Sequence, residues 1–80
     1  MRRGILANLQ FPLMIELTVN GEVRSVAAQA TVAMLLDEMQ LTGKRIAVER
    51  NGEIVPKSRH GATPLAAGDQ LEIVVAVGGG

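Results

Sequence analysis

The feature that most restricts how this chain can fold is a pair of Asn-Gly dipeptides, each set between short runs in which apolar and polar residues alternate. Asn-Gly suits the two positive-φ positions of the type I′ turn, a tight connection between antiparallel strands. Alternation with a period of two residues is typical of strands that bury one face. We therefore predict β-hairpins around Asn20-Gly21 and Asn51-Gly52, with strands at 14–20, 22–28, 45–50 and 53–55.

A helix is predicted between the hairpins, over Thr31–Gln40. Thr31 is a favourable residue for the N-cap of a helix. The apolar residues that follow it recur at the spacing of a single helical stripe, namely Val32, Leu35, Leu36 and Met39. Gly43 is expected to end the helix, because glycine readily adopts the left-handed conformation found just past helix ends.

The last strand is predicted at Gln70–Val77, the most apolar run of the chain. The helix has to bury its stripe against the inward residues of the strands. We expect the last strand to lie beside the first, because a central position leaves neither of its edges open. The predicted fold is an α+β, ubiquitin-like β-grasp, with one main helix on a mixed sheet of four or five strands. An α+β sandwich with another strand order remains open, because local periodicity does not specify strand neighbours.

Composition limits the possible classes of function. The 80 residues include no cysteine, one histidine and one aromatic residue, and eight Lys+Arg balance eight Asp+Glu. Disulfides and thiolate zinc sites are therefore excluded, and a histidine-based metal site is disfavoured. Neither the bulk positive charge nor the aromatic platform of nucleic-acid binders is present. We expect a protein without catalytic residues or a metal site of its own.

The chain is expected to have three parts. Regular alternation begins at Met14, so Met1–Leu13 is expected to be a disordered, dispensable extension and 14–77 the folded domain. Gly78–Gly80 is expected to be a flexible tail. No apolar run approaches the roughly 20 residues that span a bilayer, so no membrane association is expected. The lack of a signal-peptide cleavage site and of cysteines favours the cytoplasm.

The three final glycines are the main candidate functional feature. A glycine loop that binds phosphate is followed by a helix, and we expect no helix after Gly80. Residues without side chains can enter a narrow channel of a partner enzyme, and a terminal glycine presents an unhindered α-carboxylate. We interpret Gly80 as the reactive residue, with Gly78 and Gly79 giving access to it. The alternative is an ordinary frayed terminus.

The last strand also carries a candidate docking face for partners. Its outward residues are Glu72, Val74 and Ala76. Exposed apolar side chains on a strand that leads to a functional tail are typical of an interaction surface, although scattered exposed apolar residues are also ordinary. The stretch 57–64 is expected to be an irregular polar loop with His60 at the surface. Asp69 is assigned to the turn that begins at Gly68.

Several segments, in this order along the chain, resemble one family. They are Met14-Ile15, Asn20-Gly21, Ala28–Val32 with Leu35-Leu36, Val48–Pro56, Gly68–Val74 and Val77–Gly80. Together they resemble the ThiS family, the sulfur carriers of thiamine biosynthesis. The resemblance covers everything from Met14 onward. The chain departs from the family pattern at Ser58–Gly61, where an aromatic residue is usual, and in the extension before Met14.

The resemblance implies a protein cosubstrate rather than an enzyme, with no bound cofactor. A ThiF-like activating enzyme is expected to adenylate the Gly80 carboxylate with ATP. A persulfide from a cysteine desulfurase or sulfurtransferase is then expected to replace AMP and leave a thiocarboxylate. A ThiG-like thiazole synthase is expected to take this sulfur into the thiazole ring. Gly78 and Gly79 would line the channels of these partners.

Two alternatives stay open on the sequence alone. The small subunit of molybdopterin synthase has the same fold, tail and sulfur chemistry but serves another acceptor. The short chain and the run Asn51–Pro56 favour the thiamine carrier over that subunit. The other alternative is a β-grasp interaction module, for which the tail would be irrelevant.

Overall fold

The computed structural model describes residues 13–76. Their elements are β1 (Met14–Val19), β2 (Glu22–Ala27), α1 (Val32–Glu38), β3 (Ile46–Arg50), β4 (Glu53–Val55), a 3-10 helix (Lys57–Ala62) and β5 (Gln70–Val75). The predicted strands and helix are all present, with slightly shorter bounds. The predictions for 1–12 and for 77–80 concern residues outside the described range. Leu13 lies inside it, and its carbonyl accepts a hydrogen bond from the Ala28 amide at 3.0 Å.

The strands form one five-stranded mixed sheet in the order β2-β1-β5-β3-β4. β5 lies in the centre, parallel to β1 and antiparallel to β3. The two hairpins supply the outer pairs, β1 with β2 and β3 with β4. The prediction of a β-grasp, with the last strand beside the first, is confirmed. The central position suits β5 because its neighbours satisfy the backbone groups of the most apolar strand along both edges.

Both hairpin turns have the geometry that Asn-Gly predicts. The φ angles are 52° and 85° at Asn20 and Gly21, and 53° and 86° at Asn51 and Gly52. Positive φ at both central residues is the requirement of the type I′ turn, whose twist matches that of the flanking strands. Because the turn sets the register of its hairpin, it also sets which side chains of each strand face the core.

Helix α1 begins as predicted. The Thr31 Oγ1 accepts a hydrogen bond from the Met34 amide at 3.3 Å and so caps the first turn. The residues Val32, Leu35 and Leu36 are buried, and Met39 packs against the margin of the core. The single apolar stripe is therefore the face by which the helix covers the sheet.

The end of α1 differs from the prediction. The chain leaves the helix at Gln40, whose φ is 61°, and not at Gly43. The Leu41 amide donates to the Leu36 carbonyl at 2.8 Å, and the Gln40 amide donates to the Asp37 carbonyl at 2.9 Å. This pair of bonds is the Schellman arrangement, which packs the residue after the turn against the last helical turn. Burial of Leu41 at the core margin thus ends the helix before glycine is reached.

The core is aliphatic and continuous. Its buried side chains are Leu17, Val19, Val26, Ala30, Val32, Leu35, Leu36, Val48, Val55, Leu65, Leu71 and Ile73. Leu65 lies outside the predicted strands and the predicted helix. Its amide donates to the Ala30 carbonyl at 2.9 Å, so the segment before β5 is held against the start of α1. No periodic pattern in the sequence predicts this long-range contact.

The segment after Pro56 is more ordered than predicted. Lys57–Ala62 form a 3-10 helix that contacts α1. His60 is only 8% exposed, and its Nε2 lies 3.1 Å from the Val55 carbonyl oxygen. The expectation that His60 lies at the surface is wrong. The carbonyl supplies the hydrogen-bond partner that a buried ring nitrogen needs.

Within residues 13–76, no helix is long and apolar enough to cross a membrane. The same range holds no group of three or more Asp, Glu or His side chains close enough to bind a metal ion.

Candidate functional site

The outward side of β5 is exposed up to the point where the strand ends. Glu72, Val74 and Ala76 are all exposed, and Val74 presents 64% of its surface. The Ala76 amide donates to the Arg45 carbonyl at 2.9 Å, which ties the end of the strand to the start of β3. Gly78–Gly80, the predicted reactive tail, lie beyond the described residues. The structure thus defines the strand and the exposed face that precede these glycines in the sequence.

Strands β3 and β4 extend this face. Ala47 pairs with Val74, and Glu49 pairs with Glu72, in the antiparallel β3–β5 register. Ile54 pairs in turn with Glu49 and is 64% exposed. Side chains of directly paired residues lie on the same face of a sheet. They therefore form one surface, here called the outer patch, which consists of Ala47, Glu49, Ile54, Glu72, Val74 and Ala76.

Half of the outer patch was missed in the sequence analysis. Alternation placed Ala47 and Glu49 on the outward side of their strand, and the two-residue Asn51-Gly52 turn would have set Ile54 opposite Glu49. The missing information was the strand order, which brings β3 and β4 beside β5 rather than beside β2. Given the β-grasp order, the period-two pattern would have been a sufficient signal.

The outward face of the sheet is acidic, although the formal net charge of the chain is zero. Glu16, Glu49 and Glu72 occupy outward positions, and no lysine or arginine does so within the five strands. Arg45 precedes β3 and lies at the edge of this face, where β5 ends. A partner surface that carries positive charge is therefore complementary to the outer patch.

Two of these glutamates oppose each other. Glu49 and Glu72 occupy directly paired positions of β3 and β5, where like charges destabilise a sheet by an amount of order 0.2–1 kcal/mol, roughly the reverse of an opposite-charge pair. A cation placed over both carboxylates would remove this repulsion. The repulsion energy that is relieved when a basic partner binds is therefore about as large as the energy by which the pair destabilises the sheet of the free protein.

Asn20 holds β5 beyond the point where β1 stops. β1 ends at Val19, whereas β5 continues to Val75. The Asn20 Oδ1 accepts a hydrogen bond from the Ile73 amide at 2.8 Å, and its Nδ2 donates to the Ile73 carbonyl at 3.1 Å. The side chain thus replaces the next backbone unit of the neighbouring strand. It fixes the backbone immediately before Val74.

Asn51 does the same at the start of β5. Its backbone amide donates to the Gln70 carbonyl at 2.8 Å, and its Oδ1 accepts from the Gln70 amide at 2.9 Å. Its Nδ2 donates to Asp69 Oδ1 at 3.0 Å. Each hairpin asparagine therefore forms its turn and also clamps the central strand. The sequence analysis predicted the first of these roles and not the second.

Asp69 anchors the turn that leads into β5. Its Oδ2 accepts hydrogen bonds from the Arg50 Nε and the Ala66 amide, both at 2.8 Å, and the residue is 5% exposed. The assignment to turn chemistry is confirmed by the bond to Ala66, and the ion pair with Arg50 adds to it. Burial by itself would raise the pKa of the Asp69 carboxyl. The bonds from Arg50, Asn51 and Ala66 outweigh burial, so the pKa lies below its ordinary value.

The clamp by Asn20 leads to a first prediction. Asn20→Gly keeps a residue that tolerates positive φ but removes both bonds to Ile73. Because two partly buried backbone groups lose their partners, we expect the free energy of unfolding to fall by about 1–3 kcal/mol. Urea unfolding measures this loss, and hydrogen exchange of the Ile73 amide should accelerate more than that of Leu71. Unchanged exchange at Ile73 would contradict the clamp.

Asp69 leads to a prediction about pH. Since the pKa of the folded state lies below the unfolded value of about 3.9, the carboxylate stabilises the fold above that pH, and this contribution is lost as pH falls through the folded pKa. Asp69→Asn lacks this titration. The difference in unfolding free energy between parent and variant should be largest near neutral pH and shrink below about pH 4. Urea unfolding at a series of pH values tests this, and a constant difference would refute it.

Comparison with known proteins finds relatives over most of the chain. The profile of the ThiS family matches residues 17–80. Sulfur carrier protein ThiS of Bacillus subtilis is 42% identical over 65 residues, which are 80% of this chain and 98% of that protein. The crystal structure of thiamine biosynthesis protein ThiS from Geobacter metallireducens superposes with a TM-score of 0.70 at 33% identity, covering 82% of this chain and 100% of that one.

Longer proteins also match. The thiazole synthases of Paramagnetospirillum magneticum and Magnetococcus marinus are 47% and 35% identical over 66 residues. The chain spans 20% of the length of each of these curated relatives, while the match takes in 82% of the chain. The family profile, a sulfur carrier of similar length and a shared fold agree with one another. This chain belongs to the ThiS family of sulfur carrier proteins.

Proposed function

We propose that this protein carries sulfur as a thiocarboxylate on Gly80 and delivers it to the thiazole ring of thiamine. The observation that carries the proposal is the outer patch on β5, the strand separated from Gly78 only by Ala76 and Val77. A partner that binds the outer patch is in position to take the glycines into its own active site. Membership in the ThiS family supports the same function.

The first step of the proposed chemistry is activation of the Gly80 carboxylate, which has to be free for this step. A carboxylate is a poor acyl donor because it lacks a good leaving group. In the active site of a ThiF-like enzyme, its oxygen attacks the α-phosphorus of ATP, and pyrophosphate leaves. The product is a mixed anhydride with AMP. ATP therefore belongs to the cytoplasmic activating enzyme, and this chain holds no cofactor.

The second step brings in sulfur. The terminal sulfur of a persulfide, on a cysteine desulfurase or sulfurtransferase, attacks the Gly80 carbonyl carbon, and AMP leaves with the electron pair of the C–O bond. The product is an acyl disulfide. A thiol then attacks the sulfur that belongs to the donor and breaks the S–S bond. The donor leaves in a disulfide with that thiol, and the thiocarboxylate remains on Gly80.

The outer patch supplies docking for the partners. Val74 and Ile54 offer apolar contacts, and Glu49 and Glu72 attract basic groups of the partner. A ThiG-like thiazole synthase is the proposed acceptor of the sulfur. The similarity of this chain to one fifth of two proteins named thiazole synthase supports the pairing of carrier and synthase.

The test is a reconstitution followed by intact mass spectrometry. The purified protein is incubated with a ThiF-like enzyme, ATP and a persulfide donor. We expect an adenylate and then a product heavier than the parent by the difference between sulfur and oxygen. The sulfur should leave when thiazole synthase is added with its other substrates, and it should stay when the large subunit of molybdopterin synthase is added with the precursor that this subunit sulfurates. If the protein acquires neither AMP nor sulfur, it is an interaction module and not a carrier.

Charge reversal on the outer patch gives a further prediction. Glu72→Lys removes the repulsion with Glu49 and should slightly raise the unfolding free energy, whereas kcat/KM for adenylation should fall by roughly tenfold or more, as for a charge that contacts a complementary partner. Glu22→Lys, at the far edge of the sheet, makes the same change in net charge. If both variants lose adenylation equally, general charge and not the outer patch guides the activating enzyme.

A further inference from the structure

A concave surface lies on the helix side of the molecule, away from the outer patch. It is a groove of about 460 Å³ between α1 and the 3-10 helix. Leu36, Leu41 and Ile46 line its apolar part, and Met34, which is 59% exposed, forms one wall. The volume falls within the range of about 300–1,000 Å³ that is typical of binding sites. We call this surface the helix groove.

Two lysines line the helix groove. Lys44 precedes β3 and Lys57 follows β4, and both border the groove together with Ile46. The groove therefore combines an apolar part with two cationic side chains.

The acid in this groove does not cancel the two cations. Asp37 also lines the groove, and its Oδ1 accepts a hydrogen bond from the Thr42 hydroxyl at 3.3 Å. A single carboxylate faces two lysines, so the helix groove carries net positive charge. The outer patch carries Glu49 and Glu72 on the other face. The chain, whose formal net charge is zero, therefore presents two partly apolar surfaces that carry opposite charges.

The proposed chemistry needs two partners at once, and this argument rests on the proposed function. A mixed anhydride with AMP is open to hydrolysis once it meets water. The persulfide therefore has to attack while Gly80 still lies in the activating enzyme. During that time the outer patch is covered. The sulfur donor is itself a protein, and any contact that it makes with the carrier has to use a surface that the activating enzyme leaves free.

We propose that the helix groove binds the persulfide-bearing sulfur donor while the activating enzyme occupies the outer patch. The fitting segment of the donor presents an apolar side chain to Met34, Leu41 and Ile46, with carboxylates beside it that face Lys44 and Lys57. The opposite charges of the two surfaces keep each partner from the wrong face, because like charges across an interface repel. The activating enzyme and the sulfur donor can then bind the carrier at the same time, so that the adenylate is attacked before it is released.

The experiment compares two sulfur nucleophiles on the same adenylate. Sulfur transfer is measured by mass spectrometry with a protein persulfide donor or with inorganic hydrosulfide, which displaces AMP directly and needs no docking. In Lys44→Glu/Lys57→Glu, transfer from the protein donor should fall by roughly tenfold or more. Transfer from hydrosulfide and ATP–pyrophosphate exchange should equal those of the parent. Lys44→Arg/Lys57→Arg is the matched control and should keep transfer from both.

The possible results separate the two proposals. Equal rates with the protein donor in parent and charge-reversed variant would overturn the helix groove as the docking site, as would an equal loss with both nucleophiles. Met34→Lys tests the apolar wall independently and should reproduce the selective loss. If the parent forms no adenylate, the proposed function fails and this inference fails with it. Self-association that depends on Lys44 and Lys57, seen by sedimentation, would assign the groove to a second copy instead.

Discussion

Deletion of Gly80 is expected to abolish sulfur loading while leaving the fold intact. The variant still ends in a glycine carboxylate, now on Gly79, but that group falls about 3.3–3.6 Å short of its former reach. Displacement of a reacting group by even about 1 Å can reduce a rate on the order of 100-fold. We therefore expect ATP–pyrophosphate exchange with the activating enzyme to fall by at least that factor. Thermal unfolding should match that of the parent.

Gly79→Val tests whether the glycines can enter the channel of the partner, separately from whether the chain is long enough to reach its active site. The variant keeps the position of the terminal carboxylate but adds a branched side chain where the channel of the activating enzyme has to enclose the backbone. Exchange and sulfur loading should again be lost. Ala27→Val is the control, because it adds a branched side chain at an exposed position of β2, outside the outer patch and the helix groove. If the Gly80 deletion and Gly79→Val both carry sulfur as well as the parent, the tail is not the active element.

The largest expected effect on stability is that of Leu36→Ala. Leu36 is buried in the stripe that joins α1 to the sheet. Truncation of a buried leucine to alanine costs about 2–5 kcal/mol, because apolar transfer energy is lost and a cavity remains. A small domain without disulfides has a total stability of only about 5–15 kcal/mol, so the variant should unfold at much lower urea concentration.

Met34→Ala is the matched control for this variant. It lies two residues earlier on the same helix, but its side chain is exposed. Surface substitutions of this kind usually change stability by no more than about 0.5 kcal/mol. The comparison therefore separates burial from helix propensity. Equal, small effects of both substitutions would show that the stripe is not part of the core.

Features specified by neighbouring residues could be predicted from the sequence. The Asn-Gly turns, the cap at Thr31 and the stripe Val32–Met39 each depend on residues a few positions apart, and the structure confirms all of them. The exposure of Val74 followed from alternation for the same reason. The position of β5 beside β1 followed from one further physical argument, that the most apolar strand avoids the edge. The positions of β3 and β4 did not follow from it.

The features that were wrong or missed depend on contacts that leave no periodic pattern in the sequence. His60 is buried because the Val55 carbonyl, five residues earlier, accepts its hydrogen bond, and α1 stops at Gln40 because Leu41 can pack on the core. Glu49 opposes Glu72 only once β3 lies beside β5. Periodicity reports which face of an element is apolar, and it does not report single hydrogen bonds or strand neighbours.

By itself, the sequence determined the elements of this protein, the face that each one buries, its membership in a carrier family and the glycines proposed to carry the chemistry. Tertiary structure alone decided which surfaces those elements make together. The formal charges of the side chains sum to zero, but the fold places acidic side chains on the outer patch and basic side chains in the helix groove, on opposite sides of the sheet. Charge separation of this kind is a property of strand neighbours and helix packing, and both are set by burial of the shared core.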